Sequence, residues 1–257
     1  LACLKTILAY NAEHGLGFFR LSSDIIPFAS HPVCKEDWAK TFKKEFSELG
    51  EFIRKHQFRI SMHPDQFTLI NSPSEAIWRR SVAELQYHAD MLDAMSLGQD
   101  AKIQIHGGGV YGDKPSALDR FAKRHSMLSP SIRHHLVVEN DDRLFSLKDC
   151  LLLHGKTGIP ILFDSFHHSI LNNGETLKEA LGLAAQTWTK ADGPMMCDYS
   201  SQESGARVGT HTEHIDPKDF AQFLKVATPF GPDVMLEIKD KEKSALEAVE
   251  LHRRSMP

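Results

Sequence analysis

Nothing in the 257 residues approaches the run of about 20 consecutive apolar residues that a membrane-spanning helix needs, so a soluble chain is expected. Cysteine is scarce: Cys3, Cys34, Cys150 and Cys197 are scattered with no Cys-x-x-Cys pair. That spacing excludes a zinc knuckle and a disulfide framework, and it fits a reducing compartment. The charge imbalance is small, −4 at neutral pH, and supplies no bulk attraction for nucleic acid. It does not decide against one, because charge is read locally and bound cations can neutralise an acidic site. No dinucleotide-binding glycine fingerprint is present, and neither Ser61 nor Cys197 has an evident base beside it for nucleophilic catalysis. No secretory signal opens the chain: Leu1, Leu4, Leu8 and Ala12 stand at helical spacing with Lys5, Glu13 and His14 between them, which reads as an amphipathic helix. An intracellular location follows as the expectation, the cytoplasm or nucleoid, or the nucleus of a eukaryote.

Histidine, by contrast, is plentiful at 15 residues. Short apolar runs recur and alternate with helical stretches: GFFRL (17–21), FRISMH (58–63), KIQIH (102–106), HLVVE (135–139), PILFD (160–164), MMCDY (195–199) and VMLE (234–237). Helices are expected over 38–56, 74–95, 177–191 and 217–227, with Gly and Pro at the joints and no linker between. Length and alternation predict one α/β domain over 1–257, a TIM-type (β/α)8 barrel. Only seven strands are counted, and the chain opens in a helix, so the barrel's first strand is expected to be missing.

The residue closing each run carries the functional signal. Five strands end on His63, His106, Glu139, Asp164 and Glu237, and a sixth has Asp198 near its end. Parallel barrel strands point one way, so these side chains converge on the rim where such enzymes keep their sites. His63 is followed by Pro64, which stops its strand, and His106 by Gly107, Gly108 and Gly109, which let the backbone pass close to a ligand. An acid such as Glu139 at the end of a buried strand is costly unless an Arg, a Lys or a metal compensates it. Loop imidazoles add either His167 or His168 and either His211 or His214, which spacing alone does not separate. So many ligands exceed one zinc site and predict two or three divalent ions, with Zn²⁺ or Mn²⁺ suited to mixed imidazole and carboxylate. Lys239, Lys241 and Lys243 follow Glu237 as a solvated face, Lys239 also as a phosphate contact.

SMHPDQF, HGGGVYGDK, VVENDDRL, FDSFHH, DYSSQ with the following GTH, and VMLEIKDKE resemble, in order and spacing, the UV damage endonucleases. FFRLSSDIIPFASHP (18–32) belongs to the same likeness, which runs from the opening helix to Lys241. The resemblance implies a barrel akin to endonuclease IV that carries divalent ions, manganese foremost with Zn²⁺ or Mg²⁺ as alternatives. It implies incision 5′ to cyclobutane dimers and 6-4 photoproducts, and at abasic sites, in damaged double-stranded DNA by a monomer. Carried over by position, the metal ligands are His63, His106, Glu139, Asp164, His167, Asp198, His211 and Glu237. Glu139, Asp164 and Glu237 are expected as the catalytic carboxylates. Gln66 and Phe67 match the pair that probes the duplex at the lesion. The chain departs from the family where Asp198 replaces the usual His, where Met196 replaces a lysine that some members modify, and in the missing first strand. Two rivals share the barrel: an abasic-site endonuclease like endonuclease IV, and a metal-dependent sugar isomerase or epimerase. A third, a non-catalytic metal-binding protein, needs a site with no open position.

Overall fold

The computed structural model describes residues 1–255. Seven strands, β1 (Phe18–Leu21), β2 (Arg59–Met62), β3 (Lys102–His106), β4 (Leu136–Glu139), β5 (Ile161–Asp164), β6 (Met196–Tyr199) and β7 (Asp233–Leu236), pair in parallel in chain order. Helices flank them: α1 (Ala2–His14), α2 (Trp38–Thr41), α3 (Lys43–Lys55), α4 (Glu75–Ala94), α5 (Lys114–His125), α6 (Pro130–His135), α7 (Leu147–Thr157), α8 (Ser165–Ile170), α9 (Leu177–Ala185), α10 (Pro217–Ala227) and α11 (Glu242–Ser255). The sheet curls into a nearly closed TIM-type barrel. β1 and β7 come together without ladder hydrogen bonds, and a cleft of about 1810 Å³, lined by Phe18, Phe58, Leu224 and Ile238 among others, opens along that seam.

Two expected helices are corrected. The stretch 38–56 breaks at Phe42, whose φ of −107° and ψ of 24° leave helical geometry, and becomes α2 and α3. The stretch 177–191 stops at Ala185 because the following residues are tied to the start of β5. The Thr187 hydroxyl accepts from the Ile161 amide at 3.0 Å, and Trp188 Nε1 donates to the Ile161 carbonyl at 2.7 Å. The glycines after His106 serve neighbours of their own chain: a Cβ on Gly107 would lie 2.5 Å from the Phe145 ring, and one on Gly108 2.2 Å from Asn71 Oδ1.

The barrel interior is layered, because side chains two apart on a strand share a face. At the amino-terminal end of β3, buried Lys102 meets Asp192 at 2.5 Å, and it and Arg59 lie over the Trp188 ring. Above them Val137, Leu162 and Met196 form a small apolar layer with Phe18 against it. Two residues further along, the same faces present Arg20, Gln104, Glu139, Asp164 and Asp198. A polar end, an apolar waist and an acidic rim follow one another along the axis.

Outside the barrel, α3 lies against the carboxyl end of α4 at Gly50, where an added Cβ would stand 1.9 Å from the Met95 carbonyl oxygen. Gly50→Ala is therefore expected to destabilise the fold by about 1–3 kcal/mol through overpacking, despite alanine's better helix propensity. Gly155→Ala on α7, with nothing within 4 Å of the new methyl, is expected to be neutral or stabilising by up to about 1 kcal/mol. Chemical denaturation of the two variants beside the parent checks the pair, and equal stability of both would refute the close approach of α3 to α4 as a packing constraint.

Candidate metal centre

Strand after strand delivers one side chain to the carboxyl-terminal mouth. His63 and Glu237 stand one residue past β2 and β7, His106, Glu139 and Asp164 close β3, β4 and β5, and Asp198 lies inside β6. Among the described residues three overlapping groups have ligand atoms within 4.8 Å of one another: His63, His106 and Glu139; Glu139, Asp164 and His167; Asp164, Asp198 and Glu237. Glu139 links the first two groups and Asp164 the last two.

Local structure aims each ligand. Asp164 caps α8, its Oδ1 accepting from the amides of Phe166 and His167 at 2.7 and 2.8 Å. Its Oδ2 is left buried and without a hydrogen bond, beside the cluster. Asn140 clamps the Asp164 backbone, accepting from its amide at 3.0 Å and donating to its carbonyl at 2.9 Å. The same turn of α8 brings His167 Nδ1 to 3.2 Å from both Glu139 Oε1 and Asp164 Oδ2. His168 turns away, packing on Phe163 with its Nε2 3.3 Å from the Glu175 carbonyl. His214 is held at the surface by Asp240 and Glu247 at 2.6 and 3.0 Å. His211 donates from Nδ1 to the Glu237 carbonyl at 2.9 Å and borders the cluster, 6.2 Å from the His167 ring, without joining the three groups.

The donor set fits divalent ions because lone pairs are left facing one another. His63 Nδ1 lies 3.0 Å from the Pro64 carbonyl oxygen, which only accepts, so Nδ1 carries the proton. The Nε2 lone pair then faces Glu139 Oε2 at 3.4 Å, acceptor against acceptor. His211 makes the same Nδ1 contact with a backbone carbonyl, the arrangement by which a second shell fixes a ligating imidazole, whereas His167 Nδ1 lies 3.0 Å from the Asn140 carbonyl oxygen while also facing Glu139 and Asp164. His106 Nδ1, Asp164 Oδ2 and Asp198 Oδ1 are buried with no hydrogen-bond partner. A divalent ion among the His63, Glu139 and Asp164 donor atoms would satisfy what the protein leaves unpaired there.

Two residues that strand-end reasoning passed over complete the site. Arg20 donates to Glu237 Oε1, to Asp198 Oδ2 at 2.7 Å and to Gln104 Oε1 at 2.9 Å. Gln104 donates in turn to Glu139 Oε2 and Asp198 Oδ2, both at 2.8 Å. The signal was in the sequence: each is a polar residue inside an apolar strand, and Gln104 shares its face with His106. No Arg or Lys lies within salt-bridge distance of Glu139 among the described residues; imidazoles and Gln104 surround it instead.

Beyond His63 the chain turns tightly, Asp65 Oδ1 accepting from the Phe67 amide at 3.0 Å. Phe67 is 73% exposed and packs in no core. A cavity of about 400 Å³ is lined by His63, Pro64, Asp65, Gln66 and His106, so Gln66 and two ligands of the first group share one opening. Lys239 pairs with Glu213 at 3.5 Å on the surface.

Burial raises Asp164 to about 8, reinforced by the charges of Glu139 and Glu237 against the pull of His167. Burial opposes ionisation of His167 too, yet Glu139 and Asp164 lift it to about 10. Glu139 goes the other way: burial works against its charge, and the imidazoles of His106 and His167 hold it below the usual carboxylate range. His63 is pushed down to about 4, chiefly by burial. Neutral His63 is ready to ligate at pH 7, while Asp164 and His167 still hold protons.

The model of the family described as UV-endonuclease UvdE matches residues 1–255. The chain belongs to this family. A "UV DNA damage endonuclease" of Clostridium perfringens (strain 13 / Type A) is 40% identical over 248 residues, which are 96% of this chain and 60% of that relative's length. The solved structure of SacUVDE superposes with a TM-score of 0.94 at 45% identity, covering 98% of this UvdE-family chain and 85% of the other. Endonuclease IV from Thermus thermophilus matches at a TM-score of 0.69 and 15% identity over 97% of this chain and 92% of its own, a likeness of fold.

Because Asp164 and His167 keep protons up to about 8 and about 10, a divalent ion taking these ligands at pH 7 must displace them. Uptake of Mn²⁺ is expected to release protons and to tighten as pH rises from 6 to 8, with fewer protons released at pH 9 than at pH 7. Calorimetric titration in buffers of different ionisation enthalpy measures this, and a heat independent of buffer would contradict it.

Proposed function

We propose that this chain is a DNA repair endonuclease that hydrolyses the phosphodiester 5′ to UV photoproducts, cyclobutane dimers and 6-4 photoproducts, and that also cuts at abasic sites. The observation that carries the reading is the shared opening in which ligating His63 and His106 stand beside Gln66, with Phe67 projecting next to it. Membership of the UvdE family supplies the reaction class.

In this reading His63, His106 and Glu139 would hold one divalent ion and Glu139, Asp164 and His167 a second, Mn²⁺ foremost, with Glu237 and His211 at the border. Such ions lower the pKa of a water and stabilise negative charge on the attacking and leaving oxygens of an in-line displacement. The protein's own part is positional. Glu139 is shared between the two groups and keeps them in register, Asn140 and the α8 cap hold Asp164, and Gln104 stops the Glu139 carboxylate from turning. Gln66 and Phe67 test the stack of damaged double-stranded DNA, since taking nucleotides out of it costs least where it is already weakened. The enzyme acts as a monomer through one barrel domain, in the compartment that holds DNA. No helix of the described residues is long and apolar enough to cross a membrane.

The test is incision of a labelled duplex carrying one cyclobutane dimer, with Mn²⁺ or with chelator, beside abasic and undamaged duplexes. A chelator-sensitive nick immediately 5′ to the dimer is expected, absent from Glu139→Gln. Phe67→Ala is expected to lower kcat/KM on the dimer by about 5- to 150-fold, the equivalent of about 1–3 kcal/mol of lost stacking. Cutting of the abasic duplex alone would assign the chain to the endonuclease IV type of activity, and no cutting of any duplex would overturn the proposal.

A further inference from the structure

We infer that the Arg20 guanidinium takes the place of a divalent cation between Asp198 and Glu237, so that this chain holds two metal ions rather than three. The inference rests on the metal-dependent reading above and specifies its stoichiometry. Of the three ligand groups, Asp164, Asp198 and Glu237 form the one that contains no imidazole. It is also the one that a protein cation already enters. Arg20 bonds both Asp198 and Glu237, and its third partner, Gln104 Oε1, holds the planar fork in place. The backbone beneath is fixed, since Arg20 stands opposite Ser61 in the β1–β2 ladder. Arg20 and Gln104 both donate to Asp198 Oδ2, which leaves only Oδ1 of that carboxylate unengaged.

Charge counting agrees with the geometry. Glu139, Asp164, Asp198 and Glu237 bring four negative charges and Arg20 returns one positive. Two divalent ions convert that balance to a single positive surplus, which one phosphodiester matches. A third ion would leave three positive charges in a largely buried site beside a guanidinium that is never deprotonated, an arrangement that desolvation penalises steeply. Asp198 also explains why Arg20 can stay: a neutral imidazole at that position would leave the guanidinium with Glu237 as its one carboxylate partner.

The experiment counts metal rather than turnover. Protein stripped with chelator, loaded with Mn²⁺ and desalted is analysed for manganese per chain by mass spectrometry, with Mn²⁺ electron paramagnetic resonance as a second readout. Two ions are expected in the parent, two in Asp198→Asn because Asp198 serves Arg20 rather than a metal, and three in Arg20→Gln. Three ions in the parent, the loss of one ion in Asp198→Asn, or a count still at two in folded Arg20→Gln would each overturn the inference. If Arg20→Gln does not fold, the parent and Asp198→Asn decide. Retention of neither Mn²⁺ nor Zn²⁺ by the parent would bring down the metal-dependent reading itself, whereas a count of three would sink only the role given to Arg20.

Discussion

Mutual repulsion among the carboxylates at the barrel mouth is the constraint around which the rest is arranged. Two like charges 4 Å apart repel by about 4 kcal/mol even at an effective dielectric near 20. Glu139, Asp164 and Asp198 are all essentially buried, so solvent does little to relieve it. The protein meets this with groups of three kinds: imidazoles around Glu139, a guanidinium between Asp198 and Glu237, and the Gln104 amide between Glu139 and Asp198. What these leave unsatisfied, the buried Oδ2 of Asp164 beside Glu139 and His167, is an opening for a cation.

Such a cluster needs a frame that does not yield, and the layers beneath supply it. Val137, Leu162 and Met196 separate the acidic rim from the basic residues at the other end of the axis. There Lys102 is paired with Asp192, which hydrogen bonds from Lys102, Thr189 and Gln99 bring down to about 2 although its burial acts the other way. Met196 follows from this layering. It sits in the apolar waist, two residues before Asp198 on the same face, and packs there instead of adding a cation below the rim.

The barrel and its rim were legible in the sequence because both rest on short-range regularities. Short apolar runs that alternate with helical stretches, each with an ionisable residue at or near its end, suffice to place His63, His106, Glu139, Asp164, Asp198 and Glu237 on one mouth. Tertiary ties were not legible. Thr187 and Trp188 end α9 by reaching β5, and Phe42 divides one predicted helix into two. Nor could spacing choose between neighbouring histidines, because one turn of α8 points His167 at Glu139 and His168 at Phe163. Arg20 and Gln104 escaped for another reason: attention to strand ends passes over the interior position, although a charged or amide side chain between aliphatic neighbours carries the same information.

In the function proposed above, the ligand set and the turn after β2 would divide the task between them. Rim groups able to hold divalent ions would suit hydrolysis of a phosphodiester, and nothing in them tells one nucleotide from another. Discrimination would then fall to Gln66 and Phe67, and magnitudes show how a single exposed aromatic ring could supply it. Stacking a base on such a ring gains about 1–3 kcal/mol, while removing a nucleotide from an intact duplex costs a few kcal/mol. The two are close enough that one ring alone would not open sound DNA. Where a lesion has already weakened the stack, the cost would drop below the gain and the strand could settle toward the mouth. Keeping Phe67 exposed in the free protein would then be a small, standing cost whose return comes when the duplex is damaged, and its amide is tied to Asp65 Oδ1 in the tight turn that presents the ring.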